Sequence, residues 1–284
     1  MECPILVWML SLNRDVTTEE YDKCYNLVRE CSPHARISYD CTSIESFRQI
    51  ISQMLPLLMM RHRRISRTKW KDCETPNGKH WIEQSPDDMP PEKFLQSMIG
   101  YHLTYENSLC GMVMTQGRQR QVINIGLGIK QLCVEPRGVT VAAYAESFAH
   151  KLTPLEMTFV SPELGDEIVL RRLCILLSLK AAYIKAVGQS RGFDWSRLEF
   201  NIPNESARGD DHPLQGWEFR VFKAQLGVQR GGAVIEEGYQ CACAFFRGTK
   251  ESKFIWHDNA KDLEAWVQFI NIDQMIKVIP KLTA

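Results

Sequence analysis

Pro4 to Leu12 is a nearly continuous apolar run, which predicts an opening strand. Thr17-Thr18-Glu19-Glu20 fits a capping box, with Thr17 as N-cap and Glu20 at N3, so a helix is predicted to about Cys31. A second box, Thr42-Ser43-Ile44-Glu45, precedes Ile44, Phe47, Ile50, Ile51, Met54, Leu57 and Leu58 at helical spacing, the pattern of a core-facing helix. Pro56 is expected to kink or end it. Residues 73–92 carry Pro76, Pro86, Pro90, Pro91 and Gly78 and predict a loop. Met98 to Met114 and Val122 to Ile129 are strand-like, and the polar Gln116-Gly117-Arg118-Gln119-Arg120 between them predicts a boundary between halves, 1–118 and 119–284. A helix near Val139–His150 follows. Thr153-Pro154-Leu155-Glu156 is a helix start with Pro at N1. A long helix is predicted from about Gly165 to Val187, with Gly188 as its stop. Leu198–Phe200, Trp217–Leu226 and Tyr239–Phe246 read as strands. Each half therefore runs helices first, then paired strands, without a sequence repeat.

The 284 residues allow two domains or one built from two halves. Hydrophobic residues at 44% and charged residues at 24% are ordinary for globular chains, which argues against long disorder, coiled coil or a membrane bundle. With 34 Lys+Arg against 34 Asp+Glu the net charge is zero, so a strongly basic nucleic-acid binder is excluded. A local cluster, Arg61, Arg63, Arg64, Arg67, Lys69 and Lys71, carries two readings: a solvated helix end, or a patch facing a polyphosphate. The 10 cysteines include no Cys-x-x-Cys and none with a His at zinc-ligand spacing, so no metal site is expected from them. Met1-Glu-Cys-Pro lacks a basic n-region, and Ile5–Leu12 is too short to span a bilayer. A cytoplasmic chain with reduced thiols is expected, without nucleic-acid or membrane partners. Gly126-Leu-Gly128 lacks the third glycine of a dinucleotide fingerprint, and no nucleophile elbow or Walker loop is present.

Five segments carry a resemblance: Glu74-Thr-Pro-Asn-Gly-Lys-His80, Tyr101-His-Leu-Thr-Tyr105, Ile125-Gly-Leu-Gly-Ile-Lys130, Phe148 through Glu156, and Leu177-Ser-Leu-Lys-Ala-Ala-Tyr-Ile-Lys-Ala-Val-Gly188. In order and separation they resemble the surfactin-synthetase-activating class of 4'-phosphopantetheinyl transferases, which move phosphopantetheine from coenzyme A onto a serine of a carrier protein. The resemblance spans residues 74–188. It implies an α+β fold of two pseudo-symmetric halves, each an antiparallel sheet packed on helices, with the site in the cleft between them.

The departures bear on chemistry. Where the family holds magnesium with two acidic residues on a strand and a Glu on the long helix, this chain has Gly128, Lys130 and Ala181. Magnesium prefers an oxygen shell that includes carboxylates, so no metal is expected; Glu106 or Glu135 is the nearest substitute ligand. The family's His is Tyr105 and its helix Trp is Leu177. By the resemblance, Lys79, Lys180 and Lys185 lie near coenzyme A phosphates, and His102 and Tyr183 have structural readings beside functional ones. The expected catalytic set is Lys130, Tyr105 and Lys180, with Lys79, His102, Gly128, Ala181 and Lys185 binding ligand. Lys130 is expected to point into the cleft and stand in for the lost cation, with Tyr105 as its nearest partner and Gly128 and Ala181 clearing space. Three functional readings follow: metal-independent cyclisation or condensation of a polyketide or polyketide–peptide intermediate, an inactive binder of carrier protein or coenzyme A, and an atypical transferase. No cofactor is required by the first reading, and coenzyme A is the ligand if the ancestral pocket persists. The partner is a small molecule or a carrier protein, and the chain is expected to be a monomer.

Overall fold

Thr17 caps the first helix, Thr18–Cys31, through the reciprocal hydrogen bonds with Glu20 that its sequence predicts. This and all that follows comes from a computed structural model, which describes residues 3–189 and 192–282. The second helix, Ile44–His62, starts one residue later than the box suggested, because Ser43 accepts from the Ser46 N–H. It continues through Pro56 and does not end there. The lost hydrogen bond costs ~3 kcal/mol, which burial of Met54, Leu55, Leu57 and Met59 around it offsets.

The strands are β1 (Ile5–Ser11), β2 (Trp70–Glu74), β3 (His80–Gln84), β4 (Met98–Glu106), β5 (Leu109–Gly117), β6 (Ile125–Gln131), β7 (Leu198–Asn201), β8 (Ser206–Gly209), β9 (His212–Pro213), β10 (Trp217–Arg230), β11 (Ala233–Phe246), β12 (Lys253–His257) and β13 (Val267–Asn271). They form a six-stranded sheet in the order β13-β1-β5-β4-β3-β2, a four-stranded sheet β12-β10-β11-β6, and a small sheet β7-β8-β9. Most pairs are antiparallel; β1 with β13 and β10 with β12 are parallel. The fold class is therefore α+β, with antiparallel-rich sheets packed on helices.

Two differences from the sequence pattern stand out. The Pro-rich region holds the hairpin β2–β3, whose turn is Thr75–Gly78 with Gly78 at φ 74. Prolines flank this hairpin or sit in its turn, where no ladder donor is needed. Second, residues 119–284 do not stay on one sheet. β13 adds beside β1, and the helix Ile272–Val278 buries Ile272 and Met275 in the core under the first two helices.

Three cores result. The first two helices cover one face of the large sheet through Tyr21, Leu27, Ile50, Met54 and Met112. The long helix, Asp166–Val187, covers the second sheet through Leu173, Leu176 and Phe219. The sheets meet face to face through Val7, Met9, Val113, Leu127, Phe222 and Tyr239.

The long helix sits unusually close to β6. A Cβ on Gly126 would fall 2.1 Å from the Ala182 carbonyl oxygen, and one on Gly128 would fall 2.0 Å from that of Ser178. Glycine is required there because backbone approaches backbone. Gly188, at φ 71, ends the helix in the left-handed conformation. Gly128→Ala is expected to destabilise the protein by ~1–3 kcal/mol or more through overpacking, read as a lower urea midpoint; an unchanged midpoint would contradict this packing.

Candidate functional site

Alternation along β4 decides which side chains face the second sheet. Leu103 and Tyr105 pack toward the first core. His102, Thr104 and Glu106 lie on the opposite face, toward β6. There the His102 Nδ1 accepts from the Leu127 N–H at 3.4 Å, and Glu106 Oε1 accepts from Lys130 Nζ at 2.7 Å. On the long helix Leu177, Ala181 and Lys185 share a stripe by their spacing of four. Lys185 Nζ donates to Thr104 Oγ1 at 2.6 Å.

Between that stripe, β4 and the end of β6 lies a cavity of about 240 Å³. Lys130, Lys151 and Lys185 line it, with Glu106 as its one carboxylate among the described residues, and Phe148 and Trp195 form an aromatic wall. Lys151 Nζ lies 4.8 Å from the Trp195 ring centroid and 5.3 Å from that of Phe148; Lys130 Nζ lies 5.8 Å from Phe148. Three ammonium groups against one carboxylate make the cavity cationic.

The three lysines differ in state. Burial works against the Lys130 ammonium, but the hydrogen bond and charge of Glu106 outweigh it, and its pKa is raised. Burial lowers Lys151, and Lys130 adds to that. Burial lowers Lys185 to about 8, opposed only by Glu106. His102 is pushed well below its ordinary value by burial, then by Lys185 and His80, so it stays neutral.

The expected site residues separate into two groups. Lys130, Tyr105, Ala181 and Lys185 all line the cavity. The partner of Lys130 is Glu106 rather than Tyr105. Adjacent strand residues face opposite ways, and the Tyr105 hydroxyl donates to Glu45 Oε1 at 2.6 Å on the second helix. Gly128 does not clear space in the cavity; it faces the long helix. Lys79 lies outside the lining, donating to Asn124 Oδ1 at 2.5 Å near the end of the long helix.

Lys180 is placed away from the cavity. It is fully buried, 2.6 Å from Glu156 Oε2, and donates to the carbonyls of Lys151 at 2.7 Å, Trp195 at 3.0 Å and Leu198 at 2.5 Å. Glu156 in turn accepts from the Thr153 and Phe200 N–H groups. Burial lowers Lys180 and raises Glu156, and each ion holds the other back. With every proton engaged, Lys180 is a positioning residue: it ties down the backbone at 151 and 195, whose side chains wall the cavity. Three members of the cationic stretch have partners elsewhere. Arg67 donates to the Cys31 and Trp70 carbonyls and stacks on Trp70, Lys71 pairs with Glu83, and Arg63 donates to Gln116. Tyr183 packs edge-on to Trp217 in the second core.

Sequence reasoning missed Thr104, Lys151 and Trp195. Thr104 was legible as the residue between His102 and Glu106 on one strand face. Lys151 and Trp195 come from loops and carried no periodic signal.

The residues present do not fit the magnesium ion that the resemblance implies. The carboxylate in the cavity is already paired with an ammonium, two more ammonium groups face it, and Gly128 and Ala181 offer no oxygen. Among the described residues no group of three or more His, Cys, Asp or Glu side chains is placed to hold a metal ion.

The chain is 30% identical over 184 residues to the 4'-phosphopantetheinyl transferase pptA of Paxillus involutus. The similarity supports the 4'-phosphopantetheinyl transferase superfamily. The match covers 63% of this chain and 66% of that relative, just under two thirds of its length. No family model matches the chain. Among the described residues no helix is long and apolar enough to cross a membrane.

Two outcomes follow from the lysine environments. Lys180→Met leaves Glu156 buried and unpaired, and should remove ~3–5 kcal/mol of unfolding free energy, measured by denaturant titration; a loss within error would mean that the pair is not formed. Lys185 has its folded pKa lowered from the ordinary ~10.4 to about 8. Below pH 8 both folded and unfolded chains carry that proton, and the burden of the buried charge is full. As pH rises through 8 toward ~10.4 the unfolded chain holds more protons, so stability rises. The stability advantage of Lys185→Met over the parent should therefore be larger at pH 7 than at pH 9.5; an equal difference at both would contradict a depressed Lys185.

Proposed function

We propose that this chain is a phosphopantetheinyl-transferase-like protein whose cavity binds the phosphate-bearing part of coenzyme A, or of a related phosphopantetheine ligand, through ammonium groups rather than a carboxylate-held metal. The observation that carries this reading is the cavity's lining of Lys130, Lys151 and Lys185 against Glu106 alone. Its volume, about 240 Å³, lies below the ~300–1,000 Å³ of sites that enclose whole drug-sized ligands. It suits a phosphate or pyrophosphate group, with the rest of the ligand outside. Fixed ammonium groups can offset charge that develops on phosphoryl oxygens, which is the chief demand of phosphoryl transfer. A carrier protein is the macromolecular partner in keeping with the resemblance. In this reading the chain is an atypical transferase, or a binder that holds coenzyme A without transfer.

A second reading is favoured by one feature, the Lys185 pKa of about 8. A lysine near neutrality beside aromatic walls can exchange a proton with an enol or carbonyl substrate. This supports metal-independent cyclisation or condensation of a polyketide or polyketide–peptide intermediate.

Calorimetry with coenzyme A, in magnesium and in excess chelator, tests the first reading. Binding is expected in both buffers, and Lys130→Met should weaken it ~10-fold or more, as for loss of a charge-assisted hydrogen bond. If apo carrier protein gains the mass of phosphopantetheine, the same variant should slow that transfer ~10²–10³-fold. No binding of coenzyme A by the folded protein would overturn this reading and leave the second.

A further inference from the structure

A second cavity, of about 490 Å³, lies on the other side of the molecule's first sheet, in the gap that the second helix and the C-terminal helix Ile272–Val278 leave over β1 and β13. It shares no lining residue with the Lys130 cavity. Its volume falls within the ~300–1,000 Å³ range of small-molecule sites. Leu6, Trp8, Leu58, Met59, Met114 and Met275 supply apolar walls. Leu6, Trp8 and Leu58 are only partly buried although they belong to the edge of the main core, because the gap faces them.

Among the described residues one guanidinium lines this gap. Arg63 caps the second helix and is partly buried. Its Nη1 donates to Gln116 Oε1 at 2.5 Å, and it forms no ion pair among the described residues. Burial lowers its pKa, with no opposing charge to raise it. A guanidinium withdrawn from water without a carboxylate is expensive, and its flat fork of donors matches a carboxylate in bidentate geometry. His62, packed edge-on against Trp8 at 5.6 Å, is exposed, and Glu264 on the lining is exposed too. A single guanidinium with a carboxylate in the same lining favours a monoanion over a doubly charged phosphate.

We propose that this cavity is a binding site for an amphiphilic monocarboxylate, a medium-chain fatty acid or acyl chain ending in a carboxylate, with the tail on the Leu, Met and Trp walls and the head on Arg63. The experiment is calorimetric titration of the full chain with decanoate below its micellar range, beside decanol and acetate. Decanoate is expected to bind one to one, decanol ~10-fold or more weaker, since the charge-assisted contact is lost, and acetate not measurably. Arg63→Gln should weaken decanoate ~10-fold or more and leave decanol unchanged. Leu58→Trp, which fills the gap from a partly exposed position, should abolish binding of both. If Arg63→Gln does not fold, the Leu58→Trp variant and the comparison of decanoate with decanol still decide. Absence of decanoate binding, equal affinity for decanol, or decanoate binding that survives Leu58→Trp would each overturn the proposal.

Discussion

The contact between the long helix and β6 sets everything else near the candidate site. Two glycines on the strand, Gly126 and Gly128, let the carbonyls of Ala182 and Ser178 come where side chains would otherwise stand. Small residues on the helix, Ser178, Ala182 and Ala186, complete that seam. Because backbone packs on backbone, the helix has no freedom to rotate or slide without a clash. Its neighbouring stripe, Leu177–Ala181–Lys185, is thereby held over the face of β4 that turns toward β6. Lys185 meets Thr104, and Lys130, two residues past Gly128 on the same strand face, reaches Glu106.

Within this one helix–strand unit, three lysines solve the problem of a buried ammonium in three ways. Lys180 is saturated by Glu156 and three carbonyls and has no proton left to offer a ligand. Lys130 keeps its charge by pairing with one carboxylate at the cavity wall. Lys185 has neutral partners only, the Thr104 hydroxyl and the Leu127 carbonyl, and its pKa falls to about 8. Burial lowers Lys180 in spite of Glu156 and lowers Lys185, which has no carboxylate in contact, whereas at Lys130 the Glu106 carboxylate outweighs it. The division places structural rigidity at Lys180, fixed charge at Lys130, and a titratable group at Lys185.

How much of this could be read from the sequence follows the range of the interactions. Local signals served well: the Thr17 capping box, the helix start at Thr153-Pro154 and the Gly188 stop appear where they were predicted. Each depends on hydrogen bonds within four residues. The β2–β3 hairpin was hidden because its prolines look like loop punctuation, and whether a proline spoils a ladder depends on which neighbour the strand acquires. β13 was hidden because its parallel partner, β1, lies some 260 residues earlier, as the pair Trp8 with Gln268 illustrates. The surroundings of Lys180 were hidden for the same kind of reason. Its spacing on the helix could be read, but the face it occupies is decided by Glu156 and by carbonyls from two loops. Glu106, in contrast, was recoverable from β4 alone, since it shares the parity of His102 and Thr104.

The seam also bears on Gly128, Lys130 and Ala181, the three positions at which the resemblance would lead one to expect acidic residues. Gly128 is not an empty ligand position, because a Cβ there lands 2.0 Å from the Ser178 carbonyl. A carboxylate at that place would have to push the helix off the strand. Restoring acid at Lys130 instead would set it against Glu106, two like charges across a gap now closed by an ion pair at 2.7 Å. Ala181, on the cavity stripe, could carry a longer side chain, but an acid there would face Lys130, Lys151 and Lys185 and pair with them before it met a divalent ion. Helix packing thus leaves no room for a side chain at Gly128, an ammonium paired with Glu106 stands at 130, and Ala181 is uncharged. Among the cavity's own side chains the ammonium groups are the ones that can offset a ligand's negative charge, and the strength of that offset is governed by how far each is already committed to a protein partner.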